Sequence, residues 1–189
     1  LKFADQLIFA VPENSLDDAL VNFLKKLGAN VYRGSEFDVL SRLYNAALES
    51  NADQVVRICA DSPLISACEV DRLIHFFQTS ECDYAYNHIP IGNRYPDGFG
   101  AEITSFEVLK LVHKEATRLE HREHVFSYIW DQQDRFLIAT FDPDDRRLFH
   151  PELKLDVDTL EDFKRLERFN VHIDMEAHEI ISTLLQESA

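Results

Sequence analysis

The sequence has 189 residues, enough for one domain with a substantial core, and its 46% hydrophobic content is ordinary for a globular chain. No apolar run is long enough to cross a bilayer, and a net charge of −15 spread along the chain argues against a nucleic-acid binder, which needs clustered Lys and Arg. Three cysteines, Cys59, Cys68 and Cys82, have no C-x-x-C spacing, so neither a disulfide framework nor a thiolate metal site is expected, and a reducing, cytoplasmic setting is. The start, Leu1-Lys2-Phe3, carries neither an initiator Met nor a signal-peptide pattern and reads as a truncated or trimmed end.

Taken in chain order, Gln6–Val11 reads as a short buried strand. Ser15 with Asp18 reads as the cap of an amphipathic helix that runs to Leu27 and stops at Gly28. Val31-Tyr32 is a second strand, Phe37–Leu48 a helix, Gln54–Cys59 a third strand, Val70–Phe77 a helix and Asp83–Tyr86 a fourth strand. Asn87–Gly100, rich in Pro, Gly and Asn, reads as a long loop of the kind that carries binding residues. A strand over Gly100–Thr104, helices over Ser105–Ala116 and Arg122–Trp130, and a strand over Phe136–Phe141 follow. Thr159 with Asp162 reads as a capping box, and Met175–Leu185 as a closing amphipathic helix. Strands alternating with helices predict an α/β fold with a mainly parallel sheet and helices on both faces. A single domain over residues 1–189 is expected, with 87–135 as a sugar-binding or dimerisation lobe.

Four constellations could carry chemistry. The apolar run Val55–Cys59 delivers Asp61 to the carboxyl end of a strand, where ligands bind in open α/β sheets and where a carboxylate can hold Mg²⁺. A turn or helix cap would explain Asp61 equally well. Asp156 and Asp158, on one side of an expected short strand, repel each other unless a cation intervenes; a solvated acidic helix start is the alternative. Gly34, Ser35, Asp38 and Arg42, with Arg33, combine a tight turn, a possible cap and two arginines that could face an anion; capping alone would explain Ser35 with Asp38. Tyr95 and Asp97 in the loop, Glu102 on the next strand, and Arg122 and His124 on a later helix could recognise a polyhydroxylated or acidic ligand. His121 and His124, three residues apart without further ligands, read as surface residues and not as a zinc site.

In order, these pieces resemble the cytidylyltransferases of spore-coat and surface polysaccharide synthesis, relatives of the CMP-acidic-sugar synthetases. The matching segments are G-S-x-x-D-V-L-x-R (Gly34–Arg42), R-I-x-x-D-x-P-L-I (Arg57–Ile65), Y-P-D-G with a strand Glu (Tyr95–Gly98, Glu102), R-E-H-V (Arg122–Val125) and V-D-T-x-E-D-F (Val157–Phe163). The resemblance covers Leu7 to Phe169 and implies a nucleotide-diphospho-sugar transferase-like, Rossmann-like fold. It also implies CTP as substrate, Mg²⁺ as cofactor and transfer of CMP to a sugar or sugar acid with release of pyrophosphate. Asp61 and Asp158, with Asp156, would hold the metal. Gly34, Ser35, Asp38, Arg42 and Arg57 would serve the nucleotide side, and Tyr95, Asp97, Glu102, Arg122 and His124 the sugar side. Related synthetases suggest a homodimer.

Such families begin with a strand and a basic loop of the type Q-A-R-M-x-S-T-R-L-P-G-K, and no segment here matches it. The chain opens at what would be the second strand, so the first strand and the phosphate loop are expected to be missing. That leaves open a longer chain that carries the loop, or a non-catalytic paralogue that binds a nucleotide or a partner. A sugar-nucleotide-dependent glycosyltransferase is a third reading.

Overall fold

The computed structural model describes residues 1–172 and 174–187. In its first half run β1 (Ile8–Pro12), a 3-10 turn at Ser15–Asp17, α1 (Asp18–Lys26), β2 (Asn30–Gly34), α2 (Val39–Glu49), β3 (Gln54–Arg57), α3 (Ala67–Thr79) and β4 (Tyr84–Tyr86). Then follow β5 (Glu102–Ser105), α4 (Phe106–Glu115), α5 (Leu119–Glu123), α6 (Ser127–Asp131) and β6 (Ile138–Thr140). A 3-10 turn at Arg146–Leu148, α7 (Leu160–Glu167) and α8 (Ala177–Glu187) complete the order. The alternation read from the sequence is present as a mixed α/β fold.

The described strands form a two-stranded sheet, β1-β2, and a four-stranded sheet of order β3-β5-β4-β6. β1 runs parallel to β2, from Ile8 opposite Asn30 to Pro12 opposite Gly34. β4 runs parallel to β6, from Tyr84 opposite Ile138 to Tyr86 opposite Thr140. No helix among the described residues is long and apolar enough to cross a membrane.

The chain divides into two compact units. One comprises Ala4–Val55 and Thr104–Leu137; the other comprises Leu1–Phe3, Val56–Ile103 and the described residues from Ile138 onward. Residues 87–135, read above as a lobe, fall partly in each.

In the Ala4–Val55 unit, Val11, Val21 and Leu24 form a small core against Ala29 and Val31. Ser15 does not cap α1: Asn14 accepts from the Leu16 N–H and caps the 3-10 turn, and Asp17 stands at the helix start without a capping bond. The helix expected over Arg122–Trp130 is split into α5 and α6. His124 leaves helical geometry (φ −99°, ψ 84°), and the Val125-Phe126 pair after it is buried. Burying two adjacent apolar residues outweighs the few backbone bonds that a continuous helix would add.

In the other unit, α3 buries Val70, Leu73, Ile74 and Phe77, and all three residues of β4 are buried. A second cluster joins Tyr95, Phe99, Leu148, Leu155, Leu166, Ile180, Ile181 and Leu184. It ties the 95–99 loop to α7 and α8 and holds Leu155, the residue before Asp156. Thr159 and Asp162 form the expected capping box of α7, with both reciprocal bonds made.

Candidate active site

Three segments of the Val56–Ile103 unit are stitched together by main-chain bonds. The Val157 N–H donates to the Asp61 carbonyl at 2.8 Å, which joins the loop after β3 to the 155–158 segment. The Asp97 N–H donates to the Leu153 carbonyl, and the Leu155 N–H returns to the Asp97 carbonyl, both at 2.9 Å. The Gly98 N–H donates to the His88 carbonyl at 2.8 Å. Residues 155–158 are not the strand that their alternation suggested; only an isolated bridge forms, between Asp97 and Lys154. Asp156 and Asp158 therefore do not share a strand face and have different surroundings.

Asp158 is 56% exposed and ion-paired with Lys154 at 2.6 Å, whereas Asp156 is 19% exposed and 3.7 Å from the same ammonium. The Asp156 Oδ1 is buried with no hydrogen-bond partner. Burial raises the Asp156 carboxyl above the ordinary range, and the charges of Asp158 and Asp61 push it further. Burial likewise raises Asp97, with Asp156 adding to the push. The unit thus holds mutually repelling carboxylates around one orphaned oxygen.

No group of three His, Cys, Asp or Glu residues suited to a metal occurs among the described residues. The implied magnesium needs no such cage, because that ion uses one or two carboxylates and takes phosphate or water for the rest. The orphaned Asp156 Oδ1 with Asp61 beside it fits the ion. Asp158, held by Lys154, fits less well. Cys59 is a poor match for this ion, which prefers oxygen ligands, and burial pushes its thiol up to about 11.

Gly98 secures this arrangement. Its φ is +76°, and a Cβ there would lie 2.7 Å from the Asp156 nitrogen. Gly98→Ala is expected to destabilise the chain by about 2 kcal/mol, from left-handed strain plus the clash, and to displace Asp156. Urea unfolding measures the first effect, and calorimetric titration with CTP and magnesium the second.

Several residues read as ligand contacts are instead spent inside the protein. Tyr95 is fully buried, and its hydroxyl donates to Glu69, with Arg72 on both groups. Glu102 is buried, paired with Arg57 and bonded by the Tyr84 hydroxyl. Both arrangements have one cause: a buried polar or charged group is held by a partner. The sequence reading also missed His88, whose Nδ1 is buried without a partner and whose Nε2 is 3.9 Å from Glu102. The Asn87-His88-Ile89-Pro90 loop start carried no spacing signal that could have singled it out.

The Gly34–Arg42 motif lies in the other unit and acts there as a lock. Ser35 Oγ accepts from the Asp38 N–H, and Asp38 itself caps α2 by accepting from the Ser41 N–H. Arg42 donates to the Ser35 carbonyl at 2.6 Å, and Gly34 is needed because a Cβ would meet Arg42 Cγ at 2.9 Å. Arg122 grips Asp38 with two bonds, at 2.9 and 2.6 Å, and donates to the His113 carbonyl. Arg122, read above as a sugar contact, thus has its guanidinium engaged within its own unit, whereas His124 is exposed.

Burial alone would raise the Asp38 carboxyl, but the Arg122 and Ser41 bonds hold it below the ordinary range. Its contribution to stability is full above the ordinary carboxylate value and lost as pH falls through the lowered one. Asp38→Ala should cost about 2 kcal/mol near neutrality, from a lost cap and a lost ion pair, with the deficit shrinking in acid. Unfolding midpoints across an acid series check both statements.

A cleft of about 990 Å³ opens beside Asp61, between the 60–68 segment, α7, the described part of its connection to α8, and the start of α8. It was not anticipated from the sequence, because its walls come from residues about a hundred positions apart.

Comparison with known proteins places this geometry in context. The cytidylyltransferase sequence profile matches residues 1–183. Uncharacterized protein MJ1063 of Methanocaldococcus jannaschii is 33% identical over 174 residues, 92% of this chain and 69% of that protein. The spore coat polysaccharide biosynthesis protein SpsF of Bacillus subtilis is 26% identical over 97% of this chain and 76% of its own length. The structure of a cytidylyltransferase from Leptospira borgpetersenii superimposes with a TM-score of 0.85 at 23% identity, over 100% of this chain and 80% of that one. That last likeness concerns the fold, which is nucleotide-diphospho-sugar transferase-like.

Proposed function

Because the chain belongs to the cytidylyltransferase family, we propose that it transfers CMP from CTP to a sugar hydroxyl in the synthesis of a surface polysaccharide. The observation that carries this reading beyond the family is the orphaned Asp156 Oδ1 next to Asp61. Asp61 and Asp156 would hold the magnesium ion, which, when bound, offsets charge on the CTP phosphates and lines them up. The acceptor oxygen attacks the α-phosphorus, a new P–O bond forms, and the bond to the β-phosphate bridging oxygen breaks. Pyrophosphate leaves with that electron pair, and the hydroxyl proton is lost. Asp97, a half-buried carboxyl raised by burial and by Asp156, is the residue we assign to accept that proton.

Main-chain stitching gives these groups a fixed frame, which in-line transfer requires. The experiment is a calorimetric titration of the full-length chain with CTP, with and without magnesium, paired with a pyrophosphate-release assay. Magnesium-dependent binding and pyrophosphate release are expected. CTP binding without release in the presence of a panel of sugars would instead favour a non-catalytic nucleotide-binding paralogue. Preference for a UDP-sugar over CTP would favour a glycosyltransferase.

A further inference from the structure

We propose that the cleft beside Asp61 is the acceptor site and that it selects an amino-deoxy sugar over a sugar acid. The inference rests on the cytidylyl-transfer reading above and names its acceptor class. Its first support is shape. At about 990 Å³ the cleft lies within the range of small-molecule sites, and it is reached from Asp61, where transfer would occur. Its walls are Leu64, Ile65, Val157, Leu166, Met175 and Ile180. Leu166 and Ile180 belong to the buried cluster, and Leu64, Val157 and Met175 pack on it, so the wall is preformed.

The apolar part of this lining would leave the hydroxyls turned toward it unpaired, which costs affinity. It suits a ring carrying a methyl group in place of a hydroxyl. The second support is charge. Asp61, Glu167, Asp174 and Glu176 line the cleft, His172 adds an imidazole, and among the described residues the lining contains no Lys or Arg. Even with Asp61 occupied by magnesium, three carboxylates remain. A substrate carboxylate would meet like charge with no basic partner, whereas a protonated amine would be attracted.

The test is calorimetric titration of the full-length chain with 2-amino-2,6-dideoxyglucose and with glucuronic acid. Each is run alone and with a CTP analogue bridged by a methylene between the α- and β-phosphorus, which binds without transfer. The amino-deoxy sugar should bind at least about tenfold more tightly than the acid. In Glu167→Gln/Glu176→Gln, both exposed positions, that preference should narrow about two- to fivefold, the scale of solvent-exposed charge pairs. Tighter binding of the acid, an unchanged preference in the double variant, or no sugar binding under any condition would overturn the proposal. The nucleotide titration is read separately. Loss of sugar binding with CTP binding intact sinks only the cleft assignment, while a sugar preference without CTP binding supports it and sinks the nucleotide reading.

Discussion

Asp156→Asn is expected to lower magnesium-dependent pyrophosphate release by about two to three orders of magnitude, the scale on which loss of one electrostatic stabiliser is felt. The same change should leave the metal-free chain at least as stable as the parent. Asp156 carries a buried oxygen without a partner and is pushed upward by its own burial and by its acidic neighbours, so the fold works against its charge. An amide of the same shape removes that repulsion. A thermal melt and a rate measurement on one preparation separate the two effects. Magnesium with CTP should raise the parent midpoint by mass action and leave the variant nearly unmoved. Asp61→Asn should match the rate loss without the gain in stability, because Asp61 is exposed. Retained activity in both variants, or a variant that melts well below the parent, would refute the assignment of Asp156 as a metal-holding group.

Glu69→Ala should be among the most destabilising single changes in the chain, at about 3 kcal/mol. Glu69 lies 8% exposed at its side chain, accepts from the fully buried Tyr95 hydroxyl and pairs with Arg72 at 2.8 Å. Removing it leaves a buried phenol and a guanidinium short of partners, the situation in which broken interior ion pairs cost most. Arg72 keeps Asp144 at 2.8 Å and a place over the Phe141 ring, which holds the figure at the lower end of that range. For a chain of this size the loss corresponds to a midpoint drop of roughly 6–12 °C. Tyr95→Phe should cost less, about 2 kcal/mol, since it deletes one bond to a charged acceptor. Denaturant unfolding of the two variants checks the ranking. If Tyr95 served a ligand, Tyr95→Phe would change sugar affinity and spare stability; the buried geometry requires the opposite.

Local features were readable because they are written in neighbouring residues. The Thr159–Asp162 box, the α3 face carrying Val70, Leu73, Ile74 and Phe77, and the loop from Asn87 all depend on spacing within a turn or two. The loop after β3 that carries Asp61 was readable by the same logic. What spacing could not reveal are the partners brought together by the fold. Asp38 and Arg122 are 84 positions apart, and Glu69 and Tyr95 are 26 apart. Asp38, Arg122 and Tyr95 were read as ligand contacts because their own neighbourhoods offered no partner. The expectation that Asp156 and Asp158 share a strand face failed for a related reason. Alternation assumes a strand, and this segment makes only one bridge, at Lys154, whose ammonium then takes Asp158.

The main-chain stitching of 59–61, 97–98 and 153–157 has a consequence for how such a protein can diversify. The proposed catalytic carboxylates are placed by backbone bonds, which survive most side-chain exchanges but not insertions or deletions. Most of the cleft wall, by contrast, comes from side chains at positions 163–180, outside that frame. If the cleft is the acceptor site proposed above, new acceptor preferences would arise by point substitution along α7, its connection to α8 and the start of α8, with the proposed carboxylates left in place. A library confined to those positions samples substrate range with little risk to transfer itself.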